Sequence, residues 1–135
     1  MRADATTGAM TVRLRGVPVE VGMEASHEFE VEGRLLTDVG GTLAASVLST
    51  PGMIAMMERT AAMLVYPHLP ERKATVGFEV CVKHVRAAVE GSCCVVRAQL
   101  REVHDSRKLR FDVEVVDQDR RTIGIGTHER RVIDV

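Results

Sequence analysis

The segment that most limits how this chain can fold is TPGMIAMMERTAAMLVY, residues 50–66, in which almost every residue is small or apolar. Thr50 and Pro51 predict a helix start, because Thr is a favoured N-cap and Pro is favoured in the first helical turn. Pro67 predicts that the helix ends near Tyr66. A helix that is apolar nearly all round must be covered by protein on most of its sides. We therefore expect a fold in which the other elements surround one central helix.

Alternating polar and apolar residues predict one strand ahead of this helix and four strands after it. The first strand is SHEFEVEG, residues 26–33, and the later strands are residues 74–85, 92–103, 108–116 and 121–133. The short turn sequences between the later strands are typical of an antiparallel meander. The Gly-Gly segment, residues 32–49, contains Gly40 and Gly41 and is predicted to form a turn or a mobile loop.

One strand, one long buried helix and four antiparallel strands are the elements of an α+β domain. The packing that covers the helix most simply wraps the sheet around it, and this arrangement is the hot-dog architecture. At 135 residues the chain has the length of one domain with its own core. We therefore expect residues 1–135 to form a single domain, with residues 1–11 as a flexible start and residues 12–21 as a weak candidate for an extended segment.

The composition argues against nucleic acid, membrane and metal as partners. The net charge is −1 and acidic and basic residues alternate, so no face is strongly basic. Aromatic residues make up 3 % of the chain, which leaves too few rings to stack on single-stranded nucleic acid. Cys81, Cys93 and Cys94 lie in predicted strands, and neither they nor the histidines have the spacing of a metal site. No segment is apolar for long enough to be a signal peptide or to cross a membrane, so we expect a cytoplasmic protein.

Glu58 is the residue that a purely structural helix does not require. On a helical wheel it shares a face with four apolar residues, Ile54, Met57, Ala61 and Val65. A carboxylate in such surroundings either has a raised pKa or finds a partner. A structural Glu paired with Arg59 or with a second subunit would satisfy this requirement, and so would a reactive Glu.

His84 is the second candidate. Alternation along strand 74–85 predicts one face that meets the helix and carries Val76, Phe78, Val80, Val82 and His84. The other face carries Thr75, Gly77, Glu79, Cys81 and Lys83. A lone His on an apolar face is most often a core residue. A His and a Glu in the same seam between helix and sheet are typical of acid–base or nucleophilic chemistry. Of the other histidines, His27, His68 and His104 are expected to have surface or structural roles, and His128 alternates with Gly124, Gly126 and Arg130.

Thr50, Glu58 and His84, together with the ending IGIGTHERRVI, make the chain resemble the fluoroacetyl-CoA thioesterase family of hot-dog proteins. The similarity extends from VGMEASHEFEV through STPGMIAMMERTAAM and VGFEVCVKHVRAAVEG to the C-terminus. This resemblance implies hydrolysis of a small acyl-CoA thioester, in which coenzyme A is part of the substrate and no separate cofactor takes part. It implies that Glu58 is the nucleophile or base, that His84 orients and activates water, and that Thr50 hydrogen-bonds the set.

Substrate binding is expected from Gly77, Lys83, Arg130 and Arg131. The three cations are candidates for the phosphates of coenzyme A, although they could equally be solvated charges of the strands. In the fluoroacetyl-specific family the segment matching residues 32–49 is longer, and its aromatic residues cover the site. Here that segment has no aromatic residue, so a strong preference for the fluorinated substrate is not expected.

Helix geometry predicts that the site is shared between subunits. Eight residues of straight helix advance about 12 Å, so Thr50 and Glu58 cannot touch if both lie in one helix. Either Thr50 precedes the helix on a returning loop, or two subunits complete the site. We favour the second arrangement and expect a homodimer or a dimer of dimers. Two other functions remain open at the level of sequence: a hot-dog hydratase or dehydratase, and a non-catalytic acyl-CoA-binding protein.

Overall fold

The computed structural model describes residues 18–135, so the predicted flexible start (1–11) and most of the candidate extended segment (12–21) lie outside the described residues. The chain forms strand β1 (Glu24–Glu30), a 3-10 turn (Gly33–Leu35), strands β2 (Leu36–Thr37) and β3 (Val47–Leu48), and helix α1 (Thr50–Val65). A second 3-10 turn (Tyr66–His68) leads to strands β4 (Lys73–His84), β5 (Cys93–His104), β6 (Lys108–Val116) and β7 (Thr122–Asp134).

Two sheets organise these elements. The large sheet has the strand order β1-β5-β6-β7-β4 and is antiparallel throughout. The small sheet is the β2–β3 ribbon, which forms within the segment predicted to be a turn or loop. At the tip of the ribbon Gly40 and Gly41 adopt φ values of +67° and +85°, which L side chains rarely adopt. The predicted α+β arrangement of one helix packed against an antiparallel sheet is therefore present.

The core lies between α1 and one face of the large sheet, called here the inner face. The helix buries one stripe along its length, which comprises Gly52, Met53, Met57, Thr60, Ala61 and Val65. Its opposite side stays exposed in the single chain, and Met63 is 56 % exposed there. A helix that is apolar all round is thus only partly covered by its own sheet.

Glycine at position 124 allows the helix to approach the sheet closely. A Cβ atom there would lie 2.3 Å from the Met53 sulfur and 2.8 Å from its methyl carbon. The flexible Met53 side chain fills this space, because a methionine can adapt to an irregular gap in a core that has few aromatic rings.

The start of α1 differs from the prediction. Ser49, not Thr50, is the N-cap, and its hydroxyl accepts a hydrogen bond of 2.9 Å from the backbone N–H of Gly52. Thr50 is the first residue of the helix and Pro51 follows it. The prediction that Thr50 caps the helix is therefore wrong, and the Thr50 hydroxyl is free to make another contact.

Strand β4 contains a β-bulge that reverses its faces. Gly77 pairs with Arg130 and Glu79 pairs with Glu129, so Phe78 is the extra residue between two consecutive pairs. Phe78 lies on the outer face, where it is 59 % exposed. The predicted single face from Val76 to His84 is therefore wrong in its first half, because a bulge moves every residue before it to the opposite side.

Candidate active site

Thr50 and His84 form the first polar pair of the inner face. The Thr50 hydroxyl oxygen lies 2.8 Å from His84 Nδ1, so the first turn of α1 is joined to the end of β4. Burial lowers the pKa of His84, and a smaller opposing effect comes from the backbone of Arg86. His84 is therefore a neutral imidazole at neutral pH, held at one nitrogen by a hydroxyl group.

The other ring nitrogen of His84, Nε2, meets no group at hydrogen-bonding geometry among the described residues, although the Arg86 backbone is near enough to the ring to raise its pKa. The Nε2 atom is buried. A buried polar atom without a partner costs about 1–3 kcal/mol, so such atoms in native proteins call for an explanation. A proton-transfer group that waits for water or substrate provides one.

Glu58 lies further along α1 and has a different partner. Its Oε2 atom is 3.9 Å from Arg130 Nη1, and its side chain is 39 % exposed. The partner of this carboxylate is therefore Arg130 of β7. Arg59, the partner considered from sequence, is exposed. The carboxylate rests directly on Gly77, where a Cβ atom would lie 2.5 Å from Oε2. Only glycine at this position lets the carboxylate sit against the strand.

Arg130 is 8 % exposed and is held by several groups. Its Nε donates to the Thr75 hydroxyl at 2.8 Å, and its Nη2 donates to the Thr75 carbonyl at 3.0 Å. Burial lowers the pKa of Arg130 and the Glu58 carboxylate opposes that effect, but a guanidinium stays charged in proteins. Arg130 therefore provides a fixed positive charge beside Glu58.

Glu58, Gly77 and Arg130 form a second cluster, and His128 completes it from the side of the core. Its Nδ1 lies 2.8 Å from the Glu79 carbonyl oxygen, and its Nε2 lies 3.2 Å from Arg130 Nη1. The ring is 2 % exposed and stacks on Phe111 with 6.2 Å between centroids. Burial lowers the pKa of His128, the Glu79 backbone opposes that effect, and the charge of Arg130 adds to the lowering.

The structure thus brings Thr50 and His84 together, and it does not bring Glu58 to either of them within one chain. The hydrogen bonds and ion pairs described for residues 18–135 include none between Glu58 and Thr50 or His84. Both clusters occupy the same seam, since His84, Gly77 and their β7 partners Gly124 and Arg130 all lie on the inner face. The helix therefore separates two halves of a potential site, as its rise per residue requires.

The predicted substrate-binding cations do not form one cluster. Arg130 is buried on the inner face, whereas Arg131 lies over the Phe78 ring at 3.6 Å and donates to Glu129 at 2.9 Å. Lys83 is exposed near the opposite end of β4. It is seven residues from Val76, which pairs with Arg131, and this separation is about 23 Å along a strand. Within one chain, a single phosphate group cannot contact all three cations.

Sequence reasoning did not assign a role to Thr75 or His128. The relevant signal was present in β7, where Gly124, Gly126, His128 and Arg130 alternate and therefore share one face. For Thr75 the prediction chose the wrong face of β4, because it did not include the bulge.

Among the described residues, no three His, Cys, Asp or Glu side chains are grouped closely enough to hold a metal ion. Within the same residues, no helix combines the length and the apolar character that a membrane span needs.

One helix packed against a five-stranded antiparallel sheet is the architecture of hot-dog proteins of the thioesterase superfamily. A structure of the fluoroacetyl-CoA thioesterase FlK superposes with a TM-score of 0.78 and 30 % identity, covering 86 % of this chain and 89 % of that chain. A single-substitution variant of that enzyme, in complex with fluoroacetate and CoA, matches with a TM-score of 0.78 and 30 % identity over 87 % of this chain and 97 % of that chain.

A Thermus thermophilus protein of the thioesterase superfamily shares the fold at 23 % identity and a TM-score of 0.78, over 87 % of this chain and 85 % of that chain. Comparison with curated protein sequences gives no match. The family model for FlK, the fluoroacetyl-CoA-specific thioesterase, matches residues 31–135. The chain therefore belongs to the fluoroacetyl-CoA-specific thioesterase family, and it is a thioester hydrolase.

Proposed function

We propose that this protein hydrolyses small acyl-CoA thioesters to the free acid and CoA, with Thr50, Glu58 and His84 as the catalytic set. The observation that carries the proposal is the Glu58 carboxylate, which is held against Gly77 beside Arg130 in the seam that also contains His84. A carboxylate and a neutral imidazole with a free nitrogen are the groups that thioester hydrolysis needs.

Glu58 acts on the thioester carbonyl in one of two ways. As a general base it removes a proton from water, the water oxygen bonds to the carbonyl carbon, and the C–S bond breaks. As a nucleophile it bonds to the carbonyl carbon itself, the CoA thiolate leaves, and water then cleaves the resulting anhydride. In both routes the thiolate takes up a proton and the products are the acid and CoA.

His84 and Thr50 support this step. The Thr50 hydroxyl fixes the imidazole at Nδ1, and the lowered pKa keeps the ring neutral and able to accept a proton. Nε2, which meets no group at hydrogen-bonding geometry among the described residues, is the atom assigned to the attacking water. Orientation of water by this nitrogen would lower the entropic part of the barrier.

We further propose that two subunits complete the site in a homodimer. Strand β4 is an edge of the large sheet, so one side of its backbone has no strand partner among residues 18–135. Val76 and Phe78 are exposed on this strand, at 44 % and 59 %. Pairing of β4 with its copy would cover these groups. In such a dimer the Thr50–His84 pair of one subunit would face Glu58 of the other.

The Gly-Gly segment (residues 32–49) is proposed to admit several short acyl groups. Its β2–β3 ribbon lies beside the helix start, where the Leu35 carbonyl accepts a 2.7 Å hydrogen bond from the Ser49 N–H. The bulky apolar residues of this segment are aliphatic, namely Leu35, Leu36, Val39, Leu43, Val47 and Leu48. Aliphatic side chains next to Thr50 provide no aromatic gate around a fluoromethyl group.

Lys83 and Arg131 remain proposed contacts for the CoA phosphates, and cytoplasmic localisation remains a prediction from sequence.

The test is release of free CoA, followed with a thiol reagent, over a panel that includes acetyl-, propionyl-, butyryl-, fluoroacetyl- and crotonyl-CoA. The proposal expects thiol release from several short saturated esters, with little preference for fluoroacetyl-CoA. A preference above about a thousandfold, or roughly 4 kcal/mol, would contradict the inference from the aliphatic segment. Binding of all esters without thiol release would contradict hydrolysis. Loss of the crotonyl double bond without thiol release would indicate a hydratase.

A further inference from the structure

The structure assigns to His128 a role as a positioning residue, which holds the Arg130 guanidinium beside the Glu58 carboxylate. This inference rests on the proposed function of Glu58, and it concerns a residue that does not touch the substrate. His128 is one of four buried polar or charged residues among the described residues, and Arg130, its hydrogen-bond partner, is another. The remaining two, Thr60 and Asp117, bond to backbone groups of their own helix and turn.

The hydrogen bonds of His128 determine its tautomer. A carbonyl oxygen can only accept, so the Nδ1 atom that lies 2.8 Å from the Glu79 carbonyl must carry a hydrogen and donate it. A guanidinium can only donate, so Nε2, at 3.2 Å from Arg130 Nη1, must present its lone pair. Both contacts are satisfied only by the neutral Nδ1–H imidazole. A protonated ring would place two N–H groups against each other at Nε2.

This arrangement fixes the direction of the guanidinium. Thr75 accepts from Nε and Nη2 on one edge of the group, and His128 accepts from Nη1 on the other. Nη1 is also the atom nearest to Glu58 Oε2, at 3.9 Å. Without an acceptor at the Nε2 position, one buried N–H of Arg130 would lack a partner. The guanidinium would then turn to satisfy it, and the charge beside Glu58 would shift.

Packing alone does not explain a histidine at this position. The ring stacks on Phe111 and is 2 % exposed, so an apolar side chain of similar size could fill the same space. Such a residue would leave the Glu79 carbonyl and Arg130 Nη1 without their partners. The sequence spacing supports the same conclusion. Residues 128 and 130 lie on one face of β7, and each of them pairs with a residue of β4.

Two amide substitutions separate the two ends of the ring. His128→Gln can place an amide oxygen near the Nε2 position and keep the acceptor for Arg130. His128→Asn can place an amide N–H near the Nδ1 position and keep the donor to Glu79, but it has no acceptor that reaches Arg130. We expect His128→Asn to lower kcat by roughly tenfold or more, because a displacement of about 1 Å near the reacting groups can cost a hundredfold. His128→Gln should retain kcat within a few-fold, and KM should change little in both variants.

The matched control is His104→Asn on the outer face, where His104 is exposed and hydrogen-bonds Glu102 at 2.9 Å. This change should leave kcat and KM unaltered. A purely structural His128 would predict equal kcat values for the Asn and Gln variants, with differences only in melting temperature. Equal kcat values would therefore overturn the inference.

Nitrogen NMR of the imidazole rings gives a readout that does not depend on activity, and its assignment of the tautomer needs only the unmodified protein. At neutral pH His128 should be the neutral Nδ1–H tautomer, and Arg130→Gln should alter its Nε2 resonance. An Nε2–H tautomer or a protonated ring would overturn the assignment even if thioesterase activity is present. Absence of thiol release from the acyl-CoA panel, together with the expected tautomer, would instead contradict the proposed function and leave the positioning of Arg130 by His128 established.

Discussion

Gly77→Ala should separate activity from stability, because the glycine lies directly beneath the proposed catalytic carboxylate. The added Cβ would be 2.5 Å from Glu58 Oε2, and ordinary van der Waals contact begins near 3.4 Å. The carboxylate must therefore move by about 1 Å. A displacement of this size can cost a hundredfold in rate, which is about 2.7 kcal/mol in the activation barrier. We expect kcat for thiol release to fall by about that factor.

The same change should leave the fold intact. The displaced atom is at the end of a flexible side chain that is 39 % exposed, and the next neighbours, Arg130 and His128, would be at an ordinary 3.6 Å. Gly77 has no positive φ, so Ala can adopt its backbone conformation. Replacing such a Gly by Ala stabilises proteins by about 0.4–1 kcal/mol through the unfolded state.

Gly124→Ala provides the contrast. Its Cβ would meet the buried Met53 side chain at 2.3 Å, and overpacking of a core costs about 1–3 kcal/mol. Thermal melts and steady-state kinetics on both variants test the reasoning. It would be refuted if Gly77→Ala kept a normal kcat, or if it lowered stability as much as Gly124→Ala.

Three further predictions concern assembly, substrate binding and pH. Sedimentation at micromolar concentration should give a homodimer; a stable monomer would contradict pairing through β4 and a shared site. Lys83→Ala and Arg131→Ala should raise KM for acyl-CoA and leave kcat nearly unchanged, and an unchanged KM would remove that residue from the binding site. Burial lowers the pKa of His84 and of His128 below the 6.5 of a free side chain, so below pH 6.5 the unfolded state binds more protons than the folded state. The melting temperature should therefore decline as the pH falls from about 6.5 to about 5; a constant or rising value would show that these rings are not buried in the neutral form.

The positions of the elements follow well from sequence, because they depend on local signals. Hydrophobic periodicity and Pro67 place the end of α1 within one residue, and the predicted strand 108–116 coincides with β6. The bulge at Phe78 could not be predicted, since one inserted residue leaves no mark in the composition. It nevertheless moves Gly77 and Thr75 to the inner face, where they contact Glu58 and Arg130.

The candidate site follows from sequence only in part. Thr50 and His84 are joined through a hydrogen bond between residues 34 positions apart, and their catalytic roles stay a prediction. The identity of the Glu58 partner could not be inferred, because it depends on the register of β7 against β4. Helix rise predicted that Thr50 and Glu58 stay apart if both lie in one helix, and the structure places both of them in α1.

The most direct test of the central claim is the turnover of Glu58→Gln. Glutamine preserves the shape of the side chain and removes its charge and its ability to act as nucleophile or base. We expect kcat for release of CoA to collapse while the melting temperature stays close to that of the unmodified protein. Near-normal turnover of Glu58→Gln, measured on the best ester of the panel, would contradict the assignment of this carboxylate as the group that attacks the thioester or activates water.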